Sequence, residues 1–306
     1  MDNLSRSHDG FFRKLMSEPQ MVKDYLNAFL PERIKALVDF STLEQDTESY
    51  IDEKLKQHFS DVVFKIDSKN GAGIHFCFLF EHKSYVDHKA PFQILHYISS
   101  AMLKRALGDQ PQRLIIPILF YHGETPWDYE TITHAFDTLD EGLKIYLPQF
   151  DYIFHNYQPK PDGEIMALPN PKLSAALLAM KHFYESSYLR EHLRFFLLNG
   201  INEQGNLYKP LFVYIFDKLR NDIDSILEAM NDVPASTKSE AMSLLDLYEA
   251  RGEAKGEARG KAEGISETIR QNCINMIHEG FANDVIRRVL NVDDEYVDAL
   301  REELQA

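Results

Sequence analysis

The chain has 306 residues, of which 44% are apolar and 26% charged, and 48 acidic against 33 basic side chains give a formal net charge of −15. This is the composition of a globular protein long enough for one large or two modest domains. Met1 to Gly10 carries no apolar leader segment, no uncharged apolar run reaches membrane-span length, and Cys77 and Cys273 form neither a disulfide framework nor a zinc spacing, so a soluble cytoplasmic protein is expected.

Residues 8–30 are expected to form one helix, with Phe11, Phe12, Leu15, Val22, Tyr25, Leu26 and Phe29 on its apolar face. Asp9 at its front is read as a cap for backbone amides, and Pro31 opens the next piece. Residues 39–58 are acidic without a clear period, and Leu43, Tyr50, Ile51 and Leu55 fit a short strand or a short helix. The stretch from Phe59 to Lys83 is more explicit. Val62 to Ile66 and Ile74 to Phe80 are apolar runs of strand vocabulary, and the segment between them contains Asn70-Gly71, a strong hairpin signal. In an antiparallel hairpin centred on Gly71, Asp61 and Glu81 lie ten positions to either side and face each other at the open end. Strand alternation brings Lys83 to the same face.

Ser84 to Lys89 reads as a loop, and Pro91 to Leu107 as a helix with Phe92, Leu95, Ile98, Met102 and Leu103 inward. Gln93 and Tyr97 lie one turn apart on it. Arg113 to Tyr121 is the near-continuous apolar run of a strand buried on both faces, in which Pro117 demotes part to an edge or bulge. His122 and Glu124 resemble a metal-ligand pair and are assigned a loop role; Asp151 to Tyr157 is a further strand candidate. From Leu173 to Met230 two long amphipathic segments, split near Asn199-Gly200 and Gly205, are expected as a helical layer on the core or a helical appendage, without evident chemistry. Asp232 to Thr237 looks like a linker, with Ser236 or Thr237 capping the following helix.

That helix carries Gly252, Gly256, Gly260 and Gly264, one every four residues. Each costs up to about 1 kcal/mol relative to alanine, which a closely packed second helix would offset; a flexible charged linker is the alternative. Ile274 to Ile277, Val285 to Leu290 and Tyr296 to Leu300 complete a small three-helix unit with turns at Glu279-Gly280 and Asn291. Its acidic residues make it a poor groove reader, and self-association is expected of it.

Two facing carboxylates repel unless a cation lies between them. Hard oxygen ligands suit Mg²⁺, which keeps positions open for water and phosphate, acidifies bound water and stabilises charge on a scissile phosphate. Charges that blunt a strand end would show the same residue types. Asp61 followed by Glu81-His82-Lys83 at the end of an apolar strand resembles the D…ExK signature of the PD-(D/E)xK nucleases. With His8-Asp9-x-Phe11-Phe12, Phe59-Ser60-Asp61, Phe80 to Ser84 and the run from Pro117 to Trp127, the first half of the chain resembles the recombination-promoting nuclease (Rpn) family, also described as transposase-like. Ser60 stands where the superfamily name has proline.

The resemblance implies an α/β fold with a PD-(D/E)xK nuclease-like core over residues 1–170, a mixed sheet with a catalytic β-hairpin flanked by helices in the order αβββαβ. A helical region packing on the core at 171–235 and a Gly-spaced helix with a small oligomerisation unit at 236–306 would follow. It implies an endonuclease that uses Mg²⁺, with Mn²⁺ as a substitute, to hydrolyse DNA and promote recombination, in mobile-element or phage-defence biology. Asp61 and Glu81 would hold the metal with the carbonyl of His82, and Lys83 would position the attacking water. Gln93 with Tyr97, a pair resembling a helix motif of RecB-type nucleases, and Lys89 would face the substrate; Asp9 and Glu18 are minor candidates for supporting the metal. A net charge of −15 argues against DNA binding, but from His75 to Arg113 five basic residues outnumber three acidic ones. The alternative is a nuclease-fold protein without catalysis, a DNA-binding or assembly module whose C-terminal helices join a homodimer or larger homo-oligomer. Thermal stabilisation by Mg²⁺ would separate the two.

Overall fold

The computed structural model describes residues 3–46, 62–69, 75–200, 208–219 and 223–305, with the side chains of 3–7, 75–81 and parts of the long C-terminal helix excepted. The chain divides into two compact units, Met1–Leu244 and Leu245–Ala306.

Two helices, α1 (Asn3–Met16) and α2 (Pro19–Phe29), replace the single helix expected over 8–30. Pro19 has no N–H to donate and suits a first turn, so the break falls just before it. Because α1 starts well before Asp9, that residue lies inside the helix and does not cap it. A short helix, α3 (Glu32–Lys35), leads into β1 (Val38–Gln45), which resolves the start of the ambiguous acidic stretch as a strand. Tyr50, Ile51 and Leu55 lie outside the described residues.

Strands β2 (Val62–Ser68) and β3 (His75–Lys83) pair antiparallel, Val62 opposite Phe80 through Asp67 opposite His75. Paired residue numbers sum to 142 (62 + 80, 67 + 75), so the register is centred on position 71, as the hairpin signal predicts. The turn at 70–74 lies outside the described residues. After α4 (Ala90–Leu107) the chain returns as β4 (Leu114–Tyr121), parallel to β3 with Tyr121 beside Lys83. Past α5 (Glu141–Lys144), β5 (Ile153–Asn156) adds in parallel, giving the sheet order β1-β2-β3-β4-β5. Pairing with β5 starts at Ile118, so Pro117 sits where β4 has only β3 as a neighbour, the edge position a residue without a donor requires. The fold is mixed α/β.

Helices α1 and α2 cover the sheet face that carries Phe120, with ring centroids 5.0 Å apart for Phe12–Phe120 and 6.3 Å for Tyr25–Phe120. Helix α4 covers the other face, where Tyr97 and Ala101 pack with Val63 and Ile115, and Ala90 and Ile94 with Leu119, Tyr121 and Trp127. The expected inward stripe of α4 is therefore corrected in part: Ile98 packs against this core as expected, and the rest of the buried face differs. Ile94, Tyr97 and Ala101 are buried, while Phe92 and Met102 are each 39% exposed and Leu103 59%. Both stripes are apolar, so periodicity alone does not choose between them, and the small Ala101 lets the helix approach the sheet.

The two long segments expected over 173–230 are a set of shorter helices: α6 (Asp162–Met166) before them, then α7 (Pro171–Lys181), α8 (Ser186–Glu191), α9 (Leu193–Asn199), α10 (Lys209–Leu219) and α11 (Ile223–Ala229). Every residue of α7 from Leu173 to Met180 is buried, the pattern of an interior helix. It packs against α2, and α10 against α1, so these helices are a layer on the core.

Helix α12 (Ala235–His278) starts directly after Pro234, so Ser236 and Thr237 lie inside it rather than capping it, and its backbone stays helical through the glycine-spaced stretch. The boundary between the two units falls within it. In the second unit, α13 (Asn283–Leu290) and α14 (Asp294–Gln305) join the end of α12 around Cys273, Ile286, Val297 and Leu300. Gly280 at φ +83° and Asn291 in the left-handed region make the two expected turns. Among the described residues no helix is long and apolar enough to cross a membrane.

Candidate active site

Strands β3 and β4 are parallel and end side by side, and the loops that follow Lys83 and Tyr121 leave from this shared edge. The carboxyl ends of parallel strands are where α/β sheets bind ligands. Lys83, the last residue of β3, is only 6% exposed. Its Nζ lies 2.9 Å from Gln93 Oε1 on α4 and 2.9 Å from Asp87 Oδ2 in the loop between. A buried ammonium is tolerated only when paired, and here a carboxylate and an amide oxygen both accept from it. Asp87 is fixed in turn, its Oδ1 accepting from the Lys89 backbone amide at 3.0 Å.

The opposite face of the same strand ends carries a buried histidine chain. His122 Nδ1 donates to the Met180 carbonyl oxygen at 2.9 Å, and its Nε2 lies 2.8 Å from His82 Nε2. Burial, followed by the nearby His82 and His8 rings, pushes the pKa of His122 well below the usual imidazole range. His122 is therefore neutral with its proton on Nδ1, and His82 Nε2–H donates to it. His82 Nδ1 meets Asp9 Oδ1 at 3.1 Å, which extends the chain to α1. Beside them His8, its pKa lowered to about 3 chiefly by burial, bridges the hydroxyls of Tyr214 (2.6 Å) and Tyr184 (3.1 Å).

The loop after β4 fits this edge tightly. A Cβ on Gly123 would lie 2.5 Å from the Tyr121 hydroxyl and 2.6 Å from the Ser84 carbonyl oxygen, so only glycine is accommodated.

A family model described as "Putative transposase, YhgA-like" matches residues 6–204, a span that includes the whole sheet. The chain belongs to this family. Among curated proteins it is similar to the inactive recombination-promoting nuclease-like protein RpnE of Escherichia coli K12, 28% identical over 216 residues that cover 69% of this chain and 70% of that one. It is also similar to recombination-promoting nuclease RpnA of the same strain, 27% identical over 257 residues, 81% and 85% of the two chains. Recombination-promoting nuclease RpnD of Escherichia coli O157:H7 is 30% identical over 167 residues, 53% and 63%. No solved structure matches. These relatives support a nuclease-like function, and they include two proteins named nucleases and one named inactive.

Three of the stretches that carry the Rpn resemblance meet at this one sheet edge: His8-Asp9 from α1, His82-Lys83 from β3 and His122 after β4. Of the residues singled out from the sequence, Asp61 lies outside the described residues. Glu81 occupies β3 beside Leu119, and its side chain is likewise outside. Among the described residues no group of three or more His, Cys, Asp or Glu side chains is placed to hold a metal. Gln93 contacts Lys83, Lys89 is exposed at the start of α4, and Tyr97 is 3% exposed within the core. His122, in the loop after β4 as expected, is 1% exposed and belongs to the buried chain, while Glu124 is exposed. Glu18 pairs with Lys172 of α7 at 2.8 Å and so ties α2 to the helical layer. Sequence reasoning missed Asp87 and Tyr184. Asp87 had a local signal, an acidic residue in the short loop between a strand-end lysine and a helix. Tyr184 had none, since its partner His8 lies 176 positions away.

Proposed function

We propose that this family member is a Mg²⁺-dependent nuclease that hydrolyses phosphodiester bonds in DNA and promotes recombination, through a PD-(D/E)xK-type site at the open end of the β2–β3 hairpin. The observation that carries the reading is the hairpin register, with Val62 opposite Phe80 and Lys83 closing the strand as a buried, paired ammonium. The reading extends that register by one pair, to Asp61 and Glu81, and assigns both carboxylates and the His82 carbonyl to the metal. Hard oxygen donors beside a lysine already neutralised by Asp87 fit a hard divalent cation. When bound, Mg²⁺ or Mn²⁺ supplies an acidified water and charge stabilisation at the phosphate.

The chain's own residues do the rest. Gln93 Oε1 and Asp87 Oδ2 fix the position of Lys83 Nζ, whose N–H groups orient the attacking water and stabilise charge on phosphate oxygens. Gln93 thus acts as a positioning residue, Lys89 takes a substrate phosphate, and Tyr97 packs α4 onto the hairpin. A second reading, a nuclease fold retained for binding or assembly, is favoured by the name of one relative, which is called inactive.

Plasmid nicking with Mg²⁺, Mn²⁺, Ca²⁺ or EDTA, beside Asp61→Ala and Lys83→Ala, tests the two. Metal-dependent nicking lost in both variants is expected. Nicking that survives both would assign the activity to another centre or a contaminant. Absence of nicking in every metal, with no rise in melting temperature on adding Mg²⁺, would leave the second reading.

A further inference from the structure

We propose that Lys218 of α10 is a contact for a nucleic-acid phosphate at the rim of the site, so that the helical layer completes the substrate surface; this rests on the nuclease reading above. The layer reaches the site through Tyr184. The Tyr184 hydroxyl hydrogen-bonds to His8 Nε2 at 3.1 Å, and Ser84, the residue that follows Lys83, acts on the same hydroxyl. Burial raises its pKa, Ser84 opposes that rise, and the Glu124 charge adds to it, so the hydroxyl stands near both loops that leave the carboxyl ends of β3 and β4.

Lys218 sits over this corner. Its Nζ lies 5.2 Å from the centroid of the buried Phe183 ring and 5.8 Å from that of Tyr184. Two other half-buried lysines near the helical layer are neutralised by carboxylates, Lys172 by Glu18 and Lys181 by Asp162. Among the described residues Lys218 has no carboxylate partner and is held by the two aromatic faces instead. Aromatic faces fix the position of an ammonium without cancelling its charge. In a chain of net charge −15 such a cation beside the strand ends is suited to an anion arriving from outside.

Binding of the full chain to a labelled DNA duplex, in Ca²⁺ and across a salt series, tests this. Lys218→Gln is compared with Lys218→Arg and with Lys144→Gln, a surface change that alters net charge equally at a lysine paired with Glu141. Lys218→Gln is expected to weaken binding roughly 3- to 10-fold and to lower the slope of log K against log salt by about one. Lys218→Arg should restore both, and Lys144→Gln should leave both unchanged. If Lys218→Gln lowers the melting temperature, Lys218→Met, which keeps the stem against the rings, is read the same way. Wild-type protein that binds and nicks DNA, with Lys218→Gln indistinguishable from Lys144→Gln, would overturn this proposal alone. Wild-type protein that neither binds nor nicks would remove the nuclease reading and this contact with it.

Discussion

At the scale of single residues, the site edge is set by what each polar atom must do once water is gone. His122 has both ring nitrogens in use, one donating to Met180 and one accepting from His82. His122→Phe would leave a buried donor and a buried acceptor unpaired, at a cost of about 2 to 4 kcal/mol in urea unfolding; a loss below 0.5 kcal/mol would show that the chain carries no stability. Gly123→Ala should cost roughly 1 to 3 kcal/mol by the same assay, because its Cβ would meet the Ser84 carbonyl, which is backbone and cannot retreat cheaply. Buried neutral histidines also fix a pH dependence. His155, bonded to Tyr25, has a pKa lowered to about 4, first by burial, and His8 one lowered to about 3. The unfolded chain takes these protons near pH 6.5 and the folded chain does not, so their stability is present above 6.5 and is lost as pH falls toward 4. The slope is about 1.4 kcal/mol per pH unit for each histidine. His155→Phe should flatten the melting curve between pH 6.5 and 4.5 by one proton's worth, and curves parallel to wild type would contradict it. His8 and Asp9 were legible in the sequence as a pair, but their partners were not, because those partners come from β3, β4 and the helical layer.

At the scale of elements, local chemistry decided some features and packing decided others. The β2–β3 register is the one centred on Gly71 that the sequence reading expected. The inward stripe of α4 did not follow in full from hydropathy, because apolar residues lie on both sides of that helix and only the sheet selects one. Ile94→Ala should therefore cost about 2 to 5 kcal/mol and Leu103→Ala no more than about 0.5 kcal/mol. Equal costs would return the helix to the stripe expected from the sequence. The helices of the layer were legible as apolar segments, but their breaks were not, and the interior helix α7 has no polar face to mark its limits.

At the scale of the molecule, the acidic chain separates into a sheet-containing unit and a small helical one, with α12 carrying the boundary. Among the described residues a Cβ at Gly260 or Gly264 meets nothing within 4 Å, so these glycines have no packing reason within the chain itself. If they serve association with a second copy, Gly260→Leu with Gly264→Leu should lower the mass measured by light scattering; wild type and variant both at monomer mass would remove the self-association expectation. The sequence by itself determined the β2–β3 register, the helix and strand that follow it, and the family, because these depend on residues near one another in the chain and on the spacing of a few motifs. Only the tertiary structure decided which face of α4 is core, that His122 is buried against His82, and that Tyr184 and Lys218 stand beside His8. Those facts depend on which surfaces meet when the chain closes, and burial and hydrogen-bond satisfaction act on the assembled contacts rather than on any stretch of sequence.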